Sequence, residues 1–147
     1  MDHPVLVILM RVIHILCAIC VMGGLAFIGF CLRPVLKKLD ESIREEISTK
    51  IKARFTVLQW SCFAGLLISG GYNWMISAST YKAAGPAANA LIGTKFLLAL
   101  AIMAVAWAYG AKLIKSDKTA SMINIHLALV VVILAAILRW YRMTHGA

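Results

Sequence analysis

The chain has 147 residues, of which 62% are hydrophobic and only 14% charged, and its net charge is +9. A water-soluble domain of this length needs a more polar surface, so the mean hydropathy of +0.87 predicts a membrane protein. The basic residues lie between apolar segments and are not interleaved with stacking aromatic residues, which disfavours nucleic-acid binding. The four cysteines all lie inside apolar segments, which argues against a disulfide framework.

Four apolar segments are long enough to cross a bilayer, and they cover about residues 5–32, 55–78, 91–114 and 122–141. A hydrocarbon core of about 30 Å needs ~20 residues of helix. Lipid cannot satisfy bare backbone groups, so each segment must be helical. The sequence therefore predicts one all-α transmembrane domain over residues 1–147, an integral membrane four-helix bundle.

The link between the first two segments, residues 33–54, is long and polar. Pro34 is expected to end the first helix, because proline lacks the N–H and restricts the residue before it. Within the link, apolar residues recur at every fourth position, which indicates an amphipathic helical extension or an interfacial helix. These residues are Leu39, Ile43, Ile47 and Ile51.

Ten of the fifteen Lys and Arg residues fall in the first and third links between segments. They are Arg33, Lys37, Lys38, Arg44, Lys50, Lys52 and Arg54 in the first link, and Lys112, Lys115 and Lys118 in the third. Because basic loops stay on the cytoplasmic side, both termini are expected on the outer, periplasmic side of a bacterial inner membrane.

His14 is the ionisable residue within a predicted span that most needs an explanation. An ionisable side chain in hydrocarbon is costly and is by default a functional hypothesis. Histidine is a usual axial ligand of haem iron, and the haem propionates need cations nearby. At the expected depth the cations are Arg11, Lys95, Arg139 and Arg142. A hydrogen-bonded structural histidine and an interfacial belt of snorkelling cations are the other interpretations.

A second histidine and several soft side chains give further hypotheses. From the helix rise of about 1.5 Å per residue, His126 is expected about 12–18 Å deeper than His14, which disfavours both binding one iron. His126 is therefore expected to pack beside Asn124 or to belong to a second, inner site. Met10, His14, Cys17 and Cys20 lie along the first helix and offer ligands that suit Cu(I). Cysteine is also an ordinary buried apolar residue.

The first helix reads RVIHILCAICVMGG, followed by LRPVL, and GLLISGGYNW occurs in the second. With His14, the Gly23-Gly24 pair and Pro34, this pattern resembles copper-resistance D (CopD)-type membrane domains. His14 and the third-helix Lys95 are also distantly similar to residues of HemJ-type protoporphyrinogen oxidases. The resemblance implies that His14 is a haem ligand and Lys95 its functional companion, and it keeps copper handling open.

The leading hypothesis is a membrane protein that binds haem b for electron transfer or an oxidoreductase step. One alternative is a copper-tolerance or copper-transport membrane protein. Another is a non-catalytic accessory subunit that anchors partner proteins. The expected partners are the lipid bilayer and a redox partner or membrane complex. A homo-oligomer is a further hypothesis.

Overall fold

The computed structural model describes residues 4–83, 85–111, 113–114 and 116–145, without the side chains of Tyr81, Asp117, Lys118, Arg142 and His145. Over these residues it contains helices and short turns, with no strand. In chain order the helices are α1 (Pro4–Ala26), a π-helical segment (Phe27–Leu32), α2 (Arg33–Leu36), α3 (Glu41–Ala83), α4 (Pro86–Gly110) and α5 (Asp117–His145).

Within the described residues, four stretches of helix are long and apolar enough to cross a membrane: Pro4–Leu36, Glu41–Thr80, Pro86–Gly110 and Thr119–Tyr141. Large apolar side chains are exposed along all of them, for example Phe30, Ile68, Leu97 and Ile133. So much exposed apolar surface calls for lipid around it. These features indicate a multi-pass membrane protein, and they confirm the predicted all-α class with four spanning helices.

The first helix does not end at Pro34, so that predicted boundary was wrong. The helix continues to Leu36 through the π-helical segment, in which the Arg33 N–H donates to the Ile28 carbonyl, five residues earlier. A proline ring inside a regular α-helix presses on the carbonyl four residues before it. A wider π turn just before Pro34 changes this spacing and lets the helix go on.

The polar link 33–54 is helical except at Lys37–Asp40, as its four-residue apolar repeat indicated. The remainder belongs to α2 and to the 43-residue α3, so the stretch is a helical extension of the second span. Two exposed ion pairs at helical spacing support it, Arg44 with Glu41 at 3.0 Å and Lys50 with Glu46 at 2.6 Å.

The turn between α3 and α4 depends on Gly85 and Pro86. Gly85 has φ +94°, a conformation that glycine adopts without steric cost. Pro86 then begins α4, where its missing N–H has no intrahelical acceptor to lose. The third span thus begins before the predicted Leu91 and ends at Gly110. Lys112 and Lys115 of the predicted third link lie outside the described residues, as does the side chain of Lys118.

The chain divides into two compact units, Met1–Asn73 and Trp74–Ala147. In the first, α1 and the π-helical segment contact the first part of α3. In the second, α4 packs against α5 around the buried Ala88 and Leu138, with Leu91, Ile92 and Tyr141 beside them. A single domain and a four-helix bundle stay predictions.

Candidate functional site

Close contacts along the first unit show that α1 and α3 run antiparallel. From one end to the other they join His14 to Gly70, Cys17 to Gly65, and Gly24 to Phe55. A Cβ atom on Gly65 would lie 2.7 Å from Cys17 Sγ, and one on Gly24 would meet the Phe55 ring. Small residues at these points let the two helices approach closely, as in membrane helix pairs generally.

His14 and Ser69 form the central polar contact between α1 and α3. Ser69 is fully buried, and its Oγ donates to the Gly65 carbonyl over 2.6 Å. The same Oγ lies 3.0 Å from His14 Nδ1. A hydroxyl has a single hydrogen, so Ser69 accepts here and His14 Nδ1–H donates. In the neutral ring, the hydrogen-bond network therefore assigns the lone pair to Nε2.

This arrangement suits a histidine that binds a metal or takes up a proton. Metal-binding histidines commonly donate their other ring N–H to an oxygen, which fixes the tautomer and the orientation of the ring. Gly70 adds to the fit, because a Cβ atom there would lie 3.2 Å from His14 Cε1 and press on the ring. Ser69 and Gly70 together hold the His14 imidazole in place.

The predicted cationic residues are divided between the two units. Arg11 is exposed on α1, one turn before His14 and on the same side of the helix. Lys95, half-buried in α4, and Arg139, exposed on α5, belong to the second unit. The side chain of Arg142 lies outside the described ones. Arg11 therefore shares a unit and a helix face with His14, whereas Lys95 and Arg139 do not share its unit.

A group of thiols lies on the same pair of helices. Cys62, buried in α3, neighbours Cys17 and Cys20 of α1, and all three are free thiols. Met10 is half-buried one turn before His14. Among the residues whose positions are described, no three or more His, Cys, Asp or Glu side chains are arranged to hold a metal ion. The predicted copper ligands thus share one helix without forming such a group.

His126 is exposed on α5 and makes a hydrogen bond within its own helix. Its Nδ1 donates to the Met122 carbonyl oxygen over 2.7 Å. Packing beside Asn124 and a second, inner site both stay predictions. Unlike His14, whose partner Ser69 lies on another helix, His126 is held by α5 alone.

Sequence reasoning missed Ser69 and Cys62 as neighbours of the predicted site. Ser69 follows Ser61 and Gly65 at spacing four, and small residues at this spacing by themselves indicate helix packing. In the structure Ser61 is exposed and donates to the Val57 carbonyl, whereas Ser69 faces His14. The sequence signal for this contact was a serine directly before the Gly70-Gly71 pair. The serine offers a hydroxyl as hydrogen-bond partner, and the glycine beside it leaves room for an imidazole ring.

No protein family, no curated protein and no solved structure matches the chain. The chemistry of the α1–α3 contact is therefore the basis for a functional proposal.

Proposed function

We propose that the chain is a membrane-embedded haem b-binding protein for electron transfer or an oxidoreductase step, in which the His14 imidazole would hold the haem iron. The observation that carries this proposal is the hydrogen bond from His14 Nδ1 to the buried Ser69 hydroxyl. It supports ligation because it leaves Nε2 as the atom with the lone pair in a neutral imidazole of fixed orientation. Imidazole nitrogen is a common ligand of haem iron.

The residues around His14 fit a haem in two further respects. Most of the neighbouring side chains on α1 are apolar, which suits a porphyrin ring, and Arg11 offers a cation for a propionate one turn away. Lys95, Arg139 and Arg142 are the other cations proposed for propionates or for orienting a substrate. When bound, haem b supplies a one-electron carrier, and the protein's part is to hold and orient it.

The proposal includes an arrangement in the membrane. The four spanning helices would form a bundle in a bacterial inner membrane, with both termini outside and the basic links in the cytoplasm. His14 and Arg11 then lie in the outer half of the first span. The resemblance to CopD-type domains and the distant similarity to HemJ-type enzymes are part of the same hypothesis, in which Lys95 accompanies His14.

The direct test titrates haemin into the detergent-purified apoprotein and follows the Soret band. We expect saturation at one haem per chain for the unmodified protein. His14→Ala removes the ligand atom and should abolish the saturable band. His126→Ala is the matched control, because it deletes an exposed histidine and should leave binding unchanged. A H14A protein that binds like the unmodified one would refute the proposal.

Copper handling is a second hypothesis, supported by the neighbouring thiols of Cys62, Cys17 and Cys20. Thiolates are soft ligands that select Cu(I), and two of them suffice for a linear site. Elemental analysis under reducing conditions tests this hypothesis. Stoichiometric copper that is lost in Cys62→Ala, but kept when the exposed Cys31 is changed to Ala, would support it. Absence of copper from the unmodified protein would exclude it.

A further inference from the structure

A groove of about 420 Å³ lies between α1, the π-helical segment and α3 of the first unit. One side is formed by Gly24, Phe27 and Ile28, and the other by apolar residues of α3 that include Phe55 and Leu58. The groove is open, and its walls are almost wholly apolar. At one end of the groove, the Phe55 ring packs directly on Gly24 and fills the space that a side chain at this position would need.

Two cations of α3, Lys50 and Arg54, complete the lining of this apolar groove. They are four residues apart and therefore lie on the same face of the helix. Lys50 contacts Glu46 in an exposed ion pair, which is of little energetic value. The Arg54 guanidinium makes no hydrogen bond or ion pair with any residue in the described part of the chain. A positive charge thus stands beside apolar surface with no counter-charge of its own.

The antiparallel pairing explains why charge and apolar surface meet here. Because Gly24 lies beside Phe55, the apolar residues that follow Gly24 run alongside the charged beginning of α3. Apolar residues and cations consequently share one depth in the membrane. Such a surface suits a ligand that is both apolar and negatively charged, and basic sites between membrane helices are known to recognise anionic headgroups.

We propose that this groove binds an anionic phospholipid. One acyl chain of the lipid lies along Phe27, Phe55 and Leu58, and the phosphate of its headgroup binds Arg54 and Lys50. A net-neutral headgroup such as phosphatidylcholine is a poorer partner, because its quaternary ammonium group adds positive charge beside these two cations. The proposal is independent of the haem hypothesis, since His14 and Ser69 lie elsewhere on the helix pair.

The experiment incorporates the full-length protein into nanodiscs of equal parts phosphatidylglycerol and phosphatidylcholine, and measures retained lipid by native mass spectrometry after detergent release. We expect the unmodified protein to retain phosphatidylglycerol in preference. Arg54→Gln should lower that retention about fivefold, the usual effect of one cation at a membrane surface. Lys52→Gln is the control, because it removes the same charge from another face of α3, and retention should not change.

A second variant tests the acyl-chain part of the site. Leu58 is 47% exposed, so Leu58→Trp can fill the groove without disturbing buried residues. We expect L58W to reduce phosphatidylglycerol retention while Arg54 is still present, with an unchanged size-exclusion profile as the check on folding. Equal retention of both lipids by the unmodified protein, equal losses in R54Q and K52Q, or full retention by L58W would overturn the proposal.

Discussion

The Ser69 hydroxyl donates to the Gly65 carbonyl, with a longer contact of 3.5 Å to the Leu66 carbonyl, and accepts a hydrogen bond from His14. Serine hydroxyls in helices often donate to the carbonyl four residues earlier, and that bond uses their only hydrogen. The tautomer of His14 therefore depends on an ordinary feature of α3. A buried serine acts here as the orienting partner that a carboxylate provides in many metal sites.

Ser69→Ala should weaken haem binding without abolishing it. The variant keeps His14 but removes the acceptor for its Nδ1–H, and loss of such a partner costs metal sites about 10–100-fold in affinity. Haemin titration of the detergent-purified protein measures the change. Ser61→Ala is the matched control, because Ser61 also donates to the carbonyl four residues earlier but is exposed. Similar affinities in S69A and S61A would show that Ser69 has no role at the site.

His14 could be singled out from the sequence because a titratable residue within an apolar span is conspicuous. Ser69 could not be assigned to it, because that required the rotation of α3 about its axis. Small residues at spacing four indicate a helix interface, and Gly65 and Ser69 do lie against α1, but Ser61 at the same spacing is exposed. Four residues rotate a helix about 40° beyond one full turn, so three positions at this spacing drift about 80° around the axis and do not stay on one narrow face.

At the scale of the helix pair, Gly65 sets how closely α1 and α3 approach. We expect Gly65→Ala to destabilise the pair, because its Cβ would lie 2.7 Å from Cys17 Sγ. Overpacking of this kind costs about 1–3 kcal/mol, and thermal unfolding in detergent should show a lower apparent Tm. Gly71→Ala is the control, since a Cβ there meets nothing within 4 Å.

A second substitution tests whether Cys17 is the cause of that loss. Cys17→Ala removes the sulfur that the new methyl group would strike, so the double variant C17A/G65A should recover most of the stability. This non-additivity is what two residues in direct contact produce. Losses that simply add in the double variant would contradict the contact between Cys17 and Gly65.

The ends of the helices were harder to predict than their existence. A proline normally stops a helix, but the π turn of Phe27–Leu32 carries the first span past Pro34. The charged stretch after Asp40 has a four-residue apolar repeat, and that repeat correctly indicated a helix. Its continuity with the second span could not be read from hydropathy, because hydropathy records where a chain becomes apolar and not where a helix begins.

At the scale of the whole molecule, the distribution of Lys and Arg predicts the topology. We expect both termini outside the cytoplasm, because the basic links stay on the inner side. Alkaline phosphatase fused to either end should be active in a bacterial host, and a fluorescent protein fused to the C-terminus should be dark. A bright C-terminal fusion would reverse the assignment and place His14 in the inner half of the first span.

Four spanning helices followed directly from segment length and hydropathy, since a bilayer leaves the chain few other options. Function does not follow in the same way. Lys95 and Arg139 entered the hypothesis by expected depth alone, and depth does not say which side chains converge. The pairing of His14 with Ser69 is what adds a chemical reason to the sequence-based hypothesis.

The account depends most on His14 binding a haem iron through Nε2, and imidazole rescue tests this directly. His14→Gly leaves a space beside Ser69 and Gly70 that free imidazole can enter. We predict that detergent-purified H14G lacks the haem absorption band of the unmodified protein and regains it when imidazole is added. An unmodified protein without a haem band, or an H14G protein with a full band in the absence of imidazole, would contradict the account.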